Sequence, residues 1–336
     1  MGMRFTDAPI DSESAHRLHR HGLRLGLVDT GDAAAFTAWL HAEGRGFYQG
    51  AATQQEIDEQ LTGAAFRRTT AVWDDTAATP EVPVATVSTW PSPLSVPGER
   101  TVDAWAISGV TVAPTHRRRG IARALLESEL RTAQGLGLPL AMLTASEATI
   151  YGRYGFAPAA MIADLEVVTR RAKWTGPVAS GRVHFVTLQQ LHDGCRDVFD
   201  RARVQTPGDV ALDDYIWQRF FGLVGENTGE SKHLRAVRYD DADGRPQGFA
   251  VYRVGQGSDA DFANHTVTVQ HWSPPPTTPT RGSGATCSSW TSSARSRPRC
   301  ARLTSRCCGR SPTTAPCDVR ASPTTCGCAS STCPAP

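Results

Sequence analysis

No apolar run in the 336-residue chain approaches the ~20 residues that a membrane-spanning helix requires. The N-terminal stretch, Met-Gly-Met-Arg-Phe-Thr-Asp-Ala-Pro, lacks the apolar core of a secretory signal. Gly2 with Thr6 formally fits a myristoylation pattern, but nothing else points to a membrane anchor, so a soluble cytoplasmic protein is expected. A net charge of +2 is too small to suggest nucleic acid as a partner. Two common phosphate-binding signatures are also missing. Gly-x-x-x-x-Gly-Lys-Ser/Thr is absent, which excludes a Walker loop, and no strand is followed by Gly-x-Gly-x-x-Gly, which excludes a dinucleotide fingerprint. Cysteine is nearly absent from the body of the chain, where Cys195 alone precedes Cys287.

What is present is concentrated in residues 110–123. Ile107 to Val112 reads as a β-branched strand and Pro114 as its stop. From Arg119 to about Gln134, Ile121, Leu125, Leu126, Leu130 and Ala133 recur at helical spacing, so an amphipathic helix is expected. Between the two lies Arg117-x-x-Gly120-x-Ala122. Small residues there let the unpaired N–H groups of a helix N-terminus approach a ligand, and the positive end of the helix favours a pyrophosphate. The neighbouring arginines suit phosphate oxygens. The competing reading is a basic strand-to-helix turn on a solvated surface.

A second block follows. Leu140 to Leu143 is a short apolar strand, and Ser146 can cap a short helix carrying Tyr151. The order strand, Pro, Arg-x-x-Gly-x-Ala, helix resembles the acetyl-CoA pyrophosphate loop of the GNAT acetyltransferase superfamily. The ending Tyr151-x-x-x-Gly155-Phe156 resembles the segment that brings a tyrosine hydroxyl to the cofactor sulfur there. Ala113-Pro-Thr-His-Arg-Arg-Arg-Gly120 together with Ala145-Ser-Glu-x-x-Ile-Tyr-Gly-Arg-Tyr-Gly155 is similar to the enhanced intracellular survival (Eis) family of polyspecific aminoglycoside N-acetyltransferases. The close similarity covers about residues 105–160, and a weaker one continues to about residue 270.

The coarse order agrees with that resemblance. Leu23 to Val28 reads as a first strand, and helices are expected from Asp32 to about Glu43 and from Gln54 to Leu61. Arg67 to Trp73 and Val82 to Thr89 form a strand pair, and Pro91, Pro93 and Pro97 mark a loop leading to the motif strand. The expected order is βααβββαβα, an α/β fold with a mixed sheet splayed where the cofactor enters. After Ala163 come a strand, a linker from Trp174 to Gly181, a strand from Val183 to Leu188 and a helix from Gln189 to Ala202. Leu234 to Tyr239 and Gly248 to Val254 form a hairpin. This half has no second Arg-x-x-Gly-x-Ala loop. The resemblance makes it a degenerate second GNAT-like domain that does not hold acetyl-CoA.

From Ser273 onward the text is Pro, Thr, Ser, Arg, Cys and Gly, with Asp318 as the only acid. Such a segment cannot bury enough apolar surface to offset chain entropy. Its cysteines lack paired Cys-x₂-Cys spacing and no histidine follows His271, so no metal site is expected. Pro279–Trp290 and Thr324–Ala335 can each be back-translated so that a neighbouring frame yields amphipathic, globular text resembling Eis-like segments. The expected organisation is therefore a GNAT domain at 1–163, a second GNAT-like domain at 164–272, and a non-native, frame-shifted, disordered tail at 273–336. By the resemblance, that tail stands where a sterol-carrier-like domain belongs.

The chemistry implied by the resemblance is attack of an amine on the acetyl-CoA thioester. Val110, Thr111 and Val112 would offer a strand amide to the thioester oxygen. Arg118, Arg119, Gly120, Ile121, Ala122 and Arg123 would hold the pyrophosphate, and Ser146 and Glu147 would line the pantetheine arm. Tyr151 is the candidate general acid for the departing thiolate, with a packing role as its alternative. Tyr154 reads as structural, and Glu147 could simply complement a helix dipole. Family members use their C-terminal carboxylate as base, a role that does not transfer to Pro336. Asp29, Asp32 and Glu43 lie toward the family's substrate side but read as turn or surface acids, and His116 as a packing or surface residue. The implied acceptor is a cationic small molecule such as an aminoglycoside. The alternatives are a protein or peptide lysine, or a truncated product that binds acetyl-CoA without turnover. The family's hexameric assembly suggests a homo-oligomer, with no nucleic acid or membrane partner.

Overall fold

The structure is a computed structural model describing residues 4–145, 148–160, 163–169, 172, 179–224, 231–255, 265–275, 299–303, 318–320 and 326–329. It divides into two compact units. The first comprises residues 1–93, 102–159 and 326–336, and the second residues 94–101 and 160–325.

The first unit opens with helix α1 (Ser12–His19), which the apolar spacing did not announce because only Ser14 and Leu18 of it are buried. Strand β1 (Leu23–Leu27), helix α2 (Ala33–Gly46) and helix α3 (Gln54–Gly63) follow close to their expected places. Asp32 caps α2 through the amides of Ala34 and Ala35, and Thr53 with Glu56 closes a capping box on α3. Strands β2 (Arg68–Asp74), β3 (Ala85–Val96), β4 (Arg100–Val112), β5 (Leu140–Thr144) and β6 (Ala157–Ala160) complete the sheet with β14 (Cys326–Ala329), in the order β1-β2-β3-β4-β5-β14-β6. β1, β2 and β3 run antiparallel, whereas β4 and β5 are parallel and joined by helix α4 (Ile121–Gly135). A parallel pair needs such a crossover, and α4 buries Ile121, Ala124, Leu125, Leu126 and Ala133 against the core around Trp105.

Two expectations about this unit need correction. β3 runs straight through Pro91 and Pro93, and only Pro97 lies in the turn before β4. The ladder with β2 ends at Arg68↔Thr89 and the next bridge along β3 is Leu94↔Val210, so Pro91 and Pro93 fall between the two. Two prolines in the same alternation then sacrifice no ladder hydrogen bond. The α4 helix also begins at Ile121 rather than Arg119, because Gly120 is its N-cap in a left-handed conformation, φ 76°.

The second unit is built on strands β7 (Ala163–Glu166), β8 (Arg182–Val186), β9 (Leu234–Asp240), β10 (Pro246–Gly255), β11 (Thr266–Ser273), β12 (Arg299–Leu303) and β13 (Asp318–Arg320), in the order β13-β7-β12-β11-β10-β9-β8. The expected 189–202 helix is two, α6 (Leu188–Gly194) and α7 (Arg196–Val204), broken at Cys195, whose ψ of 10° leaves the helical region. Helix α8 (Asp214–Phe220) was not foreseen. Its Trp217 and the following Phe221 join Leu191, Val198, Phe249 and Val251 in a separate core. The Leu94–Thr101 segment belongs here, with Ser95 N–H donating to Asp209 O and Gly208 N–H to Ser95 O, both at 2.8 Å. Three short strands thus lie within the 273–336 tail, while most of that segment falls outside the described residues.

Candidate functional site

The site starts where β4 and β5 part. Their parallel register runs from Ala104↔Leu140 to Ile107↔Leu143 and stops, while β4 continues to Val112. Gly109, at φ 63°, kinks β4 just past that point, and its carbonyl accepts a 2.7 Å hydrogen bond from the Thr86 hydroxyl. The same hydroxyl lies 2.6 Å from that of buried Thr111. Ala113 N–H donates to Val84 O, toward the β3 side. Because N–H groups alternate along a strand, the amides of Val112 and Val110 point the other way, to the edge that β5 has left. Of the three strand residues singled out from the sequence, Thr111 is locked to Thr86, while Val110 and Val112 present their amides.

After β4, Pro114–His116 makes one 3₁₀ turn and Arg117 is extended. Arg118 is left-handed at φ 65°, and so is Gly120. Left-handed residues in a turn gather successive N–H groups into a concave anion nest. No side chain caps α4, so the first-turn amides of Ile121, Ala122 and Arg123 keep the orphan donors of a helix N-terminus. A Cβ at Gly120 would meet no protein atom within 4 Å, so the cradle is open.

The arginines are not equivalent. The Arg117 guanidinium donates to the Tyr48 hydroxyl at 3.1 Å. Arg119 donates to His21 O at 3.2 Å and lies 3.6 Å from Asp74. Arg123 is paired with Glu127 one turn along α4, at 2.6 Å. Arg118 is exposed, and among the described residues its side chain makes no hydrogen bond or ion pair. It is the cation left available for a phosphate. His116 is held between Thr115 and Asp74, with Nε2 3.0 Å from the Asp74 carboxylate. The Thr76 hydroxyl, then His116, hold that carboxyl well below the usual carboxylate range.

Beyond β5, Ser146 and Glu147 lie outside the described residues. The one-turn helix α5 (Ala148–Tyr151) runs into a 3₁₀ turn, Gly152–Tyr154, which Gly155 ends at φ 86°. The half-buried Tyr151 ring packs edge-on against Phe156, with centroids 6.0 Å apart. Tyr154 also packs on the first core, and burial pushes its hydroxyl above the ordinary tyrosine value. Among the acids, Asp29 accepts from Gly31 N–H at 2.8 Å and Asp32 caps α2, both local turn roles. Glu43 differs, since its carboxylate lies against Gly109. The Gly109 kink was missed in the sequence reading, although a glycine inside the β-branched run Ile107–Val112 was the available signal.

The acetyltransferase (GNAT) domain family matches residues 15–159. That span holds the strand, the nest and Tyr151. Residues 15–159 are thus similar to GNAT acetyltransferase domains. An uncharacterized N-acetyltransferase of Streptomyces griseus is 33% identical over 221 residues, 64% of this chain and 52% of that protein. The N-acetyltransferase Eis of Mycobacterium tuberculosis is 32% identical over 166 residues, 48% of this chain and 40% of Eis. The fold is shared with Eis1 from Mycobacterium abscessus at a TM-score of 0.63 and 20% identity, over 82% of this chain and 65% of that one. The chain spans about half the length of the curated relatives it matches. The matched span carries both sequence blocks, and no helix among the described residues is long and apolar enough to cross a membrane.

Proposed function

We propose that this chain is an acetyl-CoA-dependent N-acetyltransferase whose acceptor is an amine of a cationic small molecule of aminoglycoside type. The observation that carries the reading is the parting of β4 from β5 after Ile107↔Leu143, immediately followed by the Arg118–Gly120 nest and the uncapped start of α4. A thioester lying in the gap would accept from the amides of Val110 or Val112, and its pyrophosphate would fit the nest with Arg118 alongside. The neutral amine attacks the carbonyl carbon, the tetrahedral oxyanion is held by the strand amide, and the C–S bond then breaks. Tyr151 gives its proton to the departing thiolate. Acetyl-CoA is made inside cells, so the reading carries a cytoplasmic location with it.

Incubating the chain with acetyl-CoA and kanamycin, and with a lysine peptide in parallel, tests the acceptor class by mass spectrometry. The reading expects the aminoglycoside to gain an acetyl group and the peptide to gain little; the reverse preference would overturn it. The same reading treats residues 273–336 as translated out of frame. Resequencing across the codons of His271 and Trp272 should find a one-base insertion or deletion, and an intact frame would rule that out.

A further inference from the structure

We infer that Glu43 takes the proton from the acceptor amine, an assignment that rests on the acetyl-transfer reading above. The carboxylates in this part of the chain separate by what they touch. Asp29 and Asp32 accept from backbone amides of their own turns, at 2.8 Å from Gly31 and 2.9 Å from Ala34, whereas the Glu43 carboxylate is placed against Gly109 of β4. Glu43 lies in the second half of α2, far from that helix's N-terminus. Trp39, Glu43 and Gly46 stand at positions i, i+4 and i+7, so they form one face of α2. That face lies on the stretch of β4 which has left β5. A Cβ built on Gly109 would collide with the Glu43 carboxylate and come within 3.3 Å of the Trp39 ring, and a Cβ built on Gly46 would collide with Thr111. Two glycines therefore let α2 settle directly on the open end of β4, with a half-buried carboxylate aimed at the kink.

The placement matters because Gly109 immediately precedes Val110, whose amide faces the gap. A strand rises about 3.3 Å per residue. A thioester held at Val110 or Val112 is thus within reach of Glu43 directly or through one water. Trp39 stands beside the carboxylate at the same kink, its Nε1 donating to Thr70 O at 3.1 Å. An alkylammonium has no lone pair and cannot attack until it loses a proton. The Glu43 carboxylate accepts that proton and the freed pair on nitrogen forms the C–N bond. The C–S bond breaks with its electrons on sulfur, which takes a proton from Tyr151; the second proton shed by nitrogen restores that tyrosine through solvent, and the proton on Glu43 also leaves to solvent. The same negative charge draws a cationic acceptor to the reacting carbon.

The experiment compares wild type with Glu43→Gln and Glu43→Asp on two acceptors, an aliphatic amine that is protonated at pH 7 and an aromatic amine that is already neutral. Glu43→Gln should lower kcat for the aliphatic amine by roughly 10²-fold and change the aromatic amine much less, since there no proton has to leave before attack. Glu43→Asp, which keeps the acid but withdraws it by one methylene, should recover part of the aliphatic rate. Calorimetric affinity for acetyl-CoA should stay unchanged in both variants. Equal losses on the two acceptors, or no loss on either, would overturn the role of Glu43 while leaving acetyl transfer intact. A wild-type chain that transfers to neither amine would overturn the acetyl-transfer reading, and this role with it.

Discussion

The Arg68 guanidinium lies 3.4 Å from the Glu129 carboxylate, and both side chains are completely buried. Glu129 sits in the middle of α4 and takes hydroxyl hydrogen bonds from Thr70 at 2.9 Å and Thr89 at 2.8 Å. Arg68, on β2, donates through its terminal nitrogens to the carbonyls of Thr6, Ala8 and Pro9. Burial pushes the Arg68 guanidinium below its ordinary value, and Glu129 opposes that. The pair fastens the helix whose first turn forms the anion cradle to the sheet and to the N-terminal segment. Removing one member leaves the other charge buried alone. Glu129→Ala should cost about 3–5 kcal/mol in denaturant unfolding, and the apolar double variant Arg68→Met/Glu129→Leu markedly less. Equal losses for the two would show that the charges do not depend on each other.

Gly120 serves two needs at once. Its φ of 76° disfavours any side chain, and the space above it is open for a ligand. Gly120→Val should therefore weaken acetyl-CoA binding by well over tenfold, through backbone strain of about 1–2 kcal/mol and through occupation of the cradle. Arg118→Ala should cost only several-fold, because one solvated charge is removed from a nest made mainly of amides. Calorimetry decides both, and near-unchanged affinity in a folded Gly120→Val protein would refute the loop's assignment.

Tyr151→Phe separates chemistry from packing. The ring contact with Phe156 survives and only the hydroxyl is lost. Turnover should fall by roughly 10²-fold with little change in acetyl-CoA affinity. Full activity would return Tyr151 to a packing role and make Tyr154 the next residue to test.

The acid limb of stability should depend on Asp11. Burial pushes its carboxyl up, but a two-pronged contact with Arg131, at 2.9 and 2.8 Å, and the Ser14 amide outweigh it, so it is held at about 2. A depressed carboxyl contributes stability that is complete above its ordinary value of 3.8 and fades as pH falls toward 2. Thermal melts between pH 5 and 2 should show wild type losing more stability than Asp11→Asn. Parallel curves would contradict the contribution.

The turn and helix from Pro114 to Gly135 were legible because their signal is local. A strand, a proline and a small-residue turn must precede an amphipathic helix, and Ile121, Leu125 and Leu126 are buried as their spacing requires. The alternation rule misjudged β3, since Pro91 and Pro93 become acceptable only once the end of the β2 ladder is known. Helix α1 escaped because ion pairs rather than an apolar stripe hold it, with Arg17 bridging to Glu127 at 2.7 Å. Nothing in the spacing singled out Glu129, and Glu43 read as a turn or surface acid. One is buried by Arg68 and the other is set against Gly109, and contacts so distant in sequence leave no trace in periodicity.

The most direct test of acetyl transfer is thiol release from acetyl-CoA by the full chain, followed continuously with and without an aminoglycoside. The account predicts release that requires the aminoglycoside, saturates with it and is lost in Gly120→Val. A folded chain that binds acetyl-CoA and releases no thiol with any amine acceptor would contradict it.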